Sequence, residues 1–162
     1  MELDKKLFFK INKFSCEFRC IKENDISIEY INGLNKDDRN IQNVQKVTTK
    51  LSQKKYIKKI ILSKNNIICG LFINGTLVGP AGIQFGKPFF DFVQTPYEHV
   101  TSIGIFIFSE EFRRMGLGKT LVWAATFLSY HSFKEVNFGA GMLKNNTPSF
   151  KSFLSCGFRN VF

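Results

Sequence analysis

Arg113, Arg114, Gly116, Gly118, Lys119 and Thr120 are the residues whose types and spacing point most directly to chemistry. They follow an apolar run at 103–108 that reads as a buried strand. They precede residues 119–130, which hold no Gly or Pro and repeat apolar residues at helical spacing. A strand, a basic glycine turn and a helix in this order leave unpaired N–H groups at the positive end of the helix dipole. Such a turn is an anion site, most often a phosphate site. Two glycines let the backbone approach the anion closely. Gly118-Lys119-Thr120 matches the end of G-x-x-x-x-G-K-[ST], but the opening position is Arg113, so a P-loop is disfavoured. A dinucleotide fingerprint needs a third glycine where Leu121 stands. The pattern R-x-x-G-x-G is met by Arg113, Gly116 and Gly118. A plain helix start with both arginines in water fits the same residues.

A second stretch favours the phosphate reading. Residues 146–158 satisfy N-x-x-[AS]-x-x-x-[YF]-x-x-x-G-F at Asn146, Ser149, Phe153, Gly157 and Phe158. Together the two stretches resemble the pyrophosphate loop and the second signature of the GNAT superfamily of N-acyltransferases. Residues 30–40 loosely resemble the "wln-d-evn" segment of the branch that holds ribosomal-protein N-terminal acetyltransferases and amino-sugar N-acetyltransferases, with Gly33 replacing the Trp.

The resemblance implies an α/β fold with a mostly antiparallel sheet splayed at its centre and helices on both faces. It implies acetyl-CoA as co-substrate and direct acetyl transfer to a primary amine, on a small molecule such as a nucleotide-linked amino sugar or on a protein N-terminus. The pyrophosphate is expected on the N–H groups of Met115, Gly116, Leu117, Gly118 and Lys119, with Arg113 or Arg114 adding charge and Thr120 adjoining. The run Ile105, Phe106, Ile107 and Phe108 is expected to stop pairing near its end and offer backbone groups to pantetheine, the Phe106 N–H facing the acetyl carbonyl. Asn146 and Phe153 are expected at the cofactor. Two positions depart from the family pattern. Phe153 stands where many relatives place a Tyr that protonates the thiolate, and Thr101-Ser102 stand where many carry an acid. The remaining acid–base candidates are Glu98, His99 and Ser149, with Asp91 as an outsider. These departures also favour a rival reading, a non-catalytic acyl-CoA-binding or regulatory module.

The elements that must position these groups follow from local pattern. Residues 7–11 and 14–21 read as two strands around an Asn12-Lys13 turn, the first an addition at 1–13 to the family pattern. Asp25 reads as the N-cap of a helix closed by Gly33 and Asn35. Thr48 or Thr49 caps a second helix to about Ser63, whose lysines form a solvated basic face. Asn74-Gly75 joins strands at 67–73 and 76–85, with a bend at Gly79-Pro80-Ala81-Gly82. A long aromatic connection, 86–100, leads to the key strand, and a splayed strand is expected at 136–143. Only a few residues follow Gly157-Phe158, so the family's last hairpin strand is expected to be absent or supplied by a neighbour, and the exposed edge points to a homodimer.

A chain of 162 residues that is 44% hydrophobic with nineteen Phe predicts one packed domain over 1–162. Four Cys without a C-x-x-C pair and two His give no zinc set, so no metal is expected. The cysteines read as reduced thiols, with Cys16 and Cys20 near enough to approach each other. The absence of a signal-like or membrane-spanning run makes a cytoplasmic protein the expectation, with no membrane partner. A net charge of +10 favours anionic partners, and hence a small polyanionic acceptor, but no nucleic-acid module accompanies it.

Overall fold

The computed structural model describes residues 4–36, 47–86 and 99–160. Its strands are β1 (Leu7–Ile11), β2 (Phe14–Cys20), β3 (Asn66–Ile73), β4 (Thr76–Gln84), β5 (Thr101–Ile105) and β6 (Phe138–Gly139). Its helices are α1 (Ile28–Lys36), α2 (Lys50–Ile61), α3 (Leu117–Phe133) and α4 (Thr147–Leu154). The strands form one sheet in chain order, antiparallel from β1 to β5, with β6 parallel to β5. Asn74 and Gly75 both take positive φ in the β3–β4 hairpin, the conformation an Asn-Gly turn favours.

Alternation along the strands feeds two cores, one on each face of the sheet. On one face Phe18, Leu71, Val78 and Ile103 pack with Leu121, Ala125 and Leu128 of α3 and Phe153 of α4. On the other, Ile21, Phe72, Leu77 and Phe108 pack with Tyr30 and Ile31 of α1 and Ile57 of α2. The helices therefore lie on both faces, as expected. Buried Gln53 of α2 donates to the Tyr30 hydroxyl at 3.0 Å, and the Asn35 amide bonds both backbone groups of Thr48, so α1 and α2 are tied at two points.

Local signals and tertiary demands agree at one helix cap and disagree in five places. Thr49 caps α2 with a reciprocal Ser52 bond, as its sequence predicts. Asp25 does not cap α1: its carboxylate takes two bonds from Arg19, at 2.7 and 2.8 Å, and one from the Lys22 N–H. Ser27 accepts from the Tyr30 N–H in its place. Gly33 does not end α1 but lies inside it, at a point where an added Cβ would meet the Phe108 Cβ. The key strand spans 101–105 rather than 103–108, and the strand expected at 136–143 pairs only at Phe138–Gly139. Cys20 faces Cys69 on β3, not Cys16 on its own strand.

Candidate active site

Pro80 of β4 shapes the site. The register Ala81↔Ile105 puts Pro80 opposite Phe106, whose N–H donates to the Pro80 carbonyl at 3.1 Å. Proline has no N–H to return, so the ladder loses the second bond of that pair and ends there. Gly79 completes the separation, since an added Cβ would lie 2.5 Å from the Phe106 carbonyl oxygen. Because Phe106, Gly104 and Ser102 bond towards β4, alternation turns the backbone groups of Ile103 and Ile105 the other way, towards β6. β6 pairs only at Thr101↔Phe138 and Ser102↔Gly139. Beyond that point the two parallel strands diverge into a V, and Ile105 presents its N–H and carbonyl to the gap.

The expectation for Phe106 is thus corrected, since its N–H is engaged by Pro80 and does not face an acetyl carbonyl. Ile105, which stands in the same expected run, is the residue of the strand tip whose backbone faces the gap. The signal for it was the Pro80 position combined with strand parity, which needs the register. Phe108 is buried against Tyr30, with ring centroids 5.0 Å apart, so its side chain fixes the strand tip to α1.

The basic turn sits at the mouth of the V. Arg113 is half-buried and its Nε donates to the Ile107 carbonyl at 3.3 Å, joining the turn to the strand tip. Arg114 and Met115 are exposed, and Arg114 and Gly116 both take positive φ. Gly116 is the N-cap of α3, and the first helical bond runs from the Thr120 N–H to its carbonyl. The N–H groups of Leu117, Gly118 and Lys119 have no partner among the described residues. The Leu117 side chain is buried, so only its backbone is offered, whereas Lys119 is exposed. Gly118 also serves packing. A Cβ there would lie 2.5 Å from Ser152 Oγ, so the glycine lets α3 and α4 cross closely.

The second motif is mainly architectural. Asn146 Oδ1 accepts from the Ser149 N–H as the N-cap of α4. Phe153 is 4% exposed and edge-on to Phe158 at 5.0 Å, so it is a core residue and not a surface for cofactor. Ser149 is half-buried in the first turn of α4. His99 is exposed just before β5, its carbonyl accepting from Asn137 at 3.4 Å. Glu98 and Asp91 lie outside the described residues.

A cleft of about 210 Å³ lies on the α2 side of the sheet and reaches the vertex of the V at Ser102, Gly104 and Gly141. Tyr56 and Ile60 of α2 form one wall, and Asn66 and Gln84 add amides to its lining. Gly82 and Gly104 face each other in the floor, and an added Cβ at either meets nothing within 4 Å. That space is not filled by any of the described residues. The cleft lining includes no Lys, Arg, His or carboxylate among the described residues. The net positive charge on which a polyanionic acceptor was expected is therefore not gathered there. No group of residues that holds a metal ion is found among the described residues. No helix among them is long and apolar enough to cross a membrane.

The sequence matches the Acetyltransferase (GNAT) family over residues 35–158, and the chain belongs to that family. No curated protein matches it. Among solved structures it resembles an uncharacterized protein from Bacillus halodurans, with TM-score 0.75 and 17% identity over 96% of this chain and 80% of that one. A Vibrio cholerae protein proposed to be a ribosomal-protein-serine acetyltransferase gives 0.65 and 19% over 97% and 84%. An aminoglycoside N-acetyltransferase, AAC(6')-Iy, solved with CoA, gives 0.64 and 15% over 91% and 90%. GNAT acetyltransferases use acetyl-CoA as the acyl donor.

Proposed function

We propose that the protein is an N-acetyltransferase that moves the acetyl group of acetyl-CoA directly to a primary amine on an amino sugar. The observation that supports this most strongly is the V between β5 and β6, which has the basic turn at its mouth and the cleft at its vertex. The unpaired N–H groups at the start of α3 and the two arginines fit a pyrophosphate. The Ile105 backbone, turned into the V, fits the polar groups of pantetheine and the thioester carbonyl. Acetyl-CoA supplies an activated acyl group. An oriented N–H at the vertex stabilises the charge that develops on the carbonyl oxygen as the amine attacks. The uncharged hydroxyl, amide and Tyr56 lining over a glycine floor suits a neutral polyhydroxylated body. A protein N-terminus is the second acceptor class, in line with the loose likeness at 30–40. Glu98 and His99 remain the candidate bases, and water or Ser149 the candidate acid, because Phe153 carries no proton to donate and is sealed in the core.

The test is thiol release from acetyl-CoA with a panel of amino sugars, UDP-amino sugars and peptides starting with Ala or Ser. Turnover on an amino sugar at least tenfold above that on the peptides is expected. Equal turnover on both would remove the acceptor assignment. A cleft wall without carboxylate or imidazole among the described residues favours one alternative, a module that binds acyl-CoA without turning it over. Calorimetric binding of acetyl-CoA with no thiol release on any amine would decide for it.

A further inference from the structure

Cys20 and Cys69 stand directly opposite each other on β2 and β3, with their sulfurs 3.8 Å apart. In the adjacent pair the Ile21 N–H donates to the Ile68 carbonyl at 3.0 Å. Alternation then makes Cys20–Cys69 a non-hydrogen-bonded pair, the closer of the two kinds, with Cα atoms about 4.5 Å apart. That separation lies within the range a disulfide spans. The other two cysteines are placed differently. Cys16 Sγ donates to the Phe14 carbonyl and Cys156 Sγ to the Lys119 carbonyl. Cys69 is fully buried, whereas Cys20 is half-buried and lines a small surface pocket with Lys22 and Ile61. The hydrogen bond shared with Cys20, together with burial, holds the Cys69 thiol well above its ordinary range. Cys20 is therefore the sulfur that meets a reagent from solvent.

We propose that Cys20 and Cys69 are a redox modification site that closes as a reversible cross-strand disulfide on exposure to a peroxide. The Cys20 thiolate attacks a peroxide oxygen and the O–O bond breaks. This leaves a sulfenic acid on Cys20, and the departing hydroxide takes up the thiol proton as water. Cys69 Sγ then attacks Cys20 Sγ, the S–O bond breaks and a second water leaves with the Cys69 proton. Two thiols lose two electrons and two protons, and hydrogen peroxide becomes two waters. A dithiol reverses the bond by exchange. The closed loop holds both α1 and α2, the helices that cover the cleft side of the sheet. The bond therefore restrains the unfolded chain over that whole segment and raises the unfolding midpoint.

The test treats the full chain with hydrogen peroxide, alkylates the remaining thiols, and maps peptides by mass spectrometry with and without dithiothreitol. A Cys20–Cys69 linked peptide that disappears with dithiothreitol is expected, together with a raised thermal midpoint. Cys16 and Cys156 should stay alkylated, and Cys20→Ser should abolish the link. Retention of all four free thiols while a dithiol in the same tube is oxidised would overturn the proposal. So would links through Cys16 or Cys156, or Cys20 sulfinate without a link. If Cys20→Ser fails to fold, the wild-type peptide map alone decides.

Discussion

Pro80 stands opposite Phe106 and accepts its N–H at 3.1 Å but has none to return, so β4 and β5 part at that pair. Most strands interior to a sheet exclude proline, because a lost ladder bond is left unsatisfied. Here the missing donor falls where the partner strand is required to leave. In Pro80→Ala the new N–H can reach the Phe106 carbonyl and extend the ladder by one bond. That bond is worth about 1 kcal/mol, close to the loss of proline's restraint on the unfolded chain. Stability to urea should therefore stay within about 1 kcal/mol while turnover falls about tenfold or more, because the strand tip is re-aimed. Unchanged thiol release by the variant would refute this account of the splay.

Gly33 and Phe108 test whether local preference or packing governs α1. A Gly→Ala change inside a helix ordinarily stabilises by about 1 kcal/mol. At Gly33 the new methyl would meet the Phe108 Cβ, with the Phe108 Cα only 3.3 Å away, so the backbone of the strand tip would have to move. Overpacking of this kind costs about 1–3 kcal/mol and outweighs the propensity gain. Gly33→Ala should lower the urea midpoint, and a midpoint at or above the wild-type value would show that α1 moves without cost.

Arg113, Gly116 and Gly118 separate the anion site from its scaffold. Arg113→Ala removes charge and also the bond to the Ile107 carbonyl, so acetyl-CoA affinity should fall by about 1–3 kcal/mol, or roughly 5- to 150-fold. Arg114→Gly keeps a backbone that tolerates positive φ and should cost affinity alone, with stability unchanged. Gly116→Ala has open space around its new Cβ but a φ of +77°, so it should cost about 1 kcal/mol through strain in the turn. Gly118→Ala is a packing mutation, because the Cβ meets Ser152, and it should destabilise α3 against α4. Calorimetry with acetyl-CoA beside urea unfolding distinguishes the four variants. Equal affinity loss at Arg113 and Gly118 with equal stability loss would mean that the turn is only a helix start.

What could be read from the sequence was local. The Asn74-Gly75 hairpin, the Thr49 cap and the glycine turn that starts α3 depend on residues adjacent in the chain, and each falls where its sequence puts it. What was missed depends on register or on competition between distant groups. Asp25 has the chemistry of a cap, but Arg19 on β2 offers it a stronger, charged partner. Asn146, expected at the cofactor, is also the N-cap of α4 through its Oδ1, a use its Asn-x-x-Ser spacing already allowed. The choice of Ile105 over Phe106 as the residue facing the V, and the Cys20–Cys69 pair, follow from strand parity, which no single strand encodes. The 136–143 segment is apolar enough for a strand, yet it pairs at only two residues because the V must open beyond them.

The Arg19–Asp25 pair anchors the chain as it leaves β2 for α1, and its pH dependence has a defined sign. Burial pushes the Asp25 carboxyl up, but the Arg19 hydrogen bonds, the Lys22 N–H and the nearby charges outweigh it and hold the group below its ordinary value of 3.8. A carboxyl lowered in the folded state stabilises the fold fully above its unfolded value. It loses that contribution as pH falls through the folded value. With side chains 17% and 15% exposed, the pair lies between a surface bridge and a buried one, so Asp25→Asn should cost about 2 kcal/mol at pH 7. That difference should hold constant down to about pH 5 and shrink below about pH 4, as the wild-type carboxyl takes up its proton and comes to resemble the amide. Urea unfolding of both proteins from pH 7 to pH 2 measures it. A gap that persists undiminished at pH 2 would mean that Asp25 acts through shape and hydrogen bonding alone, without its charge.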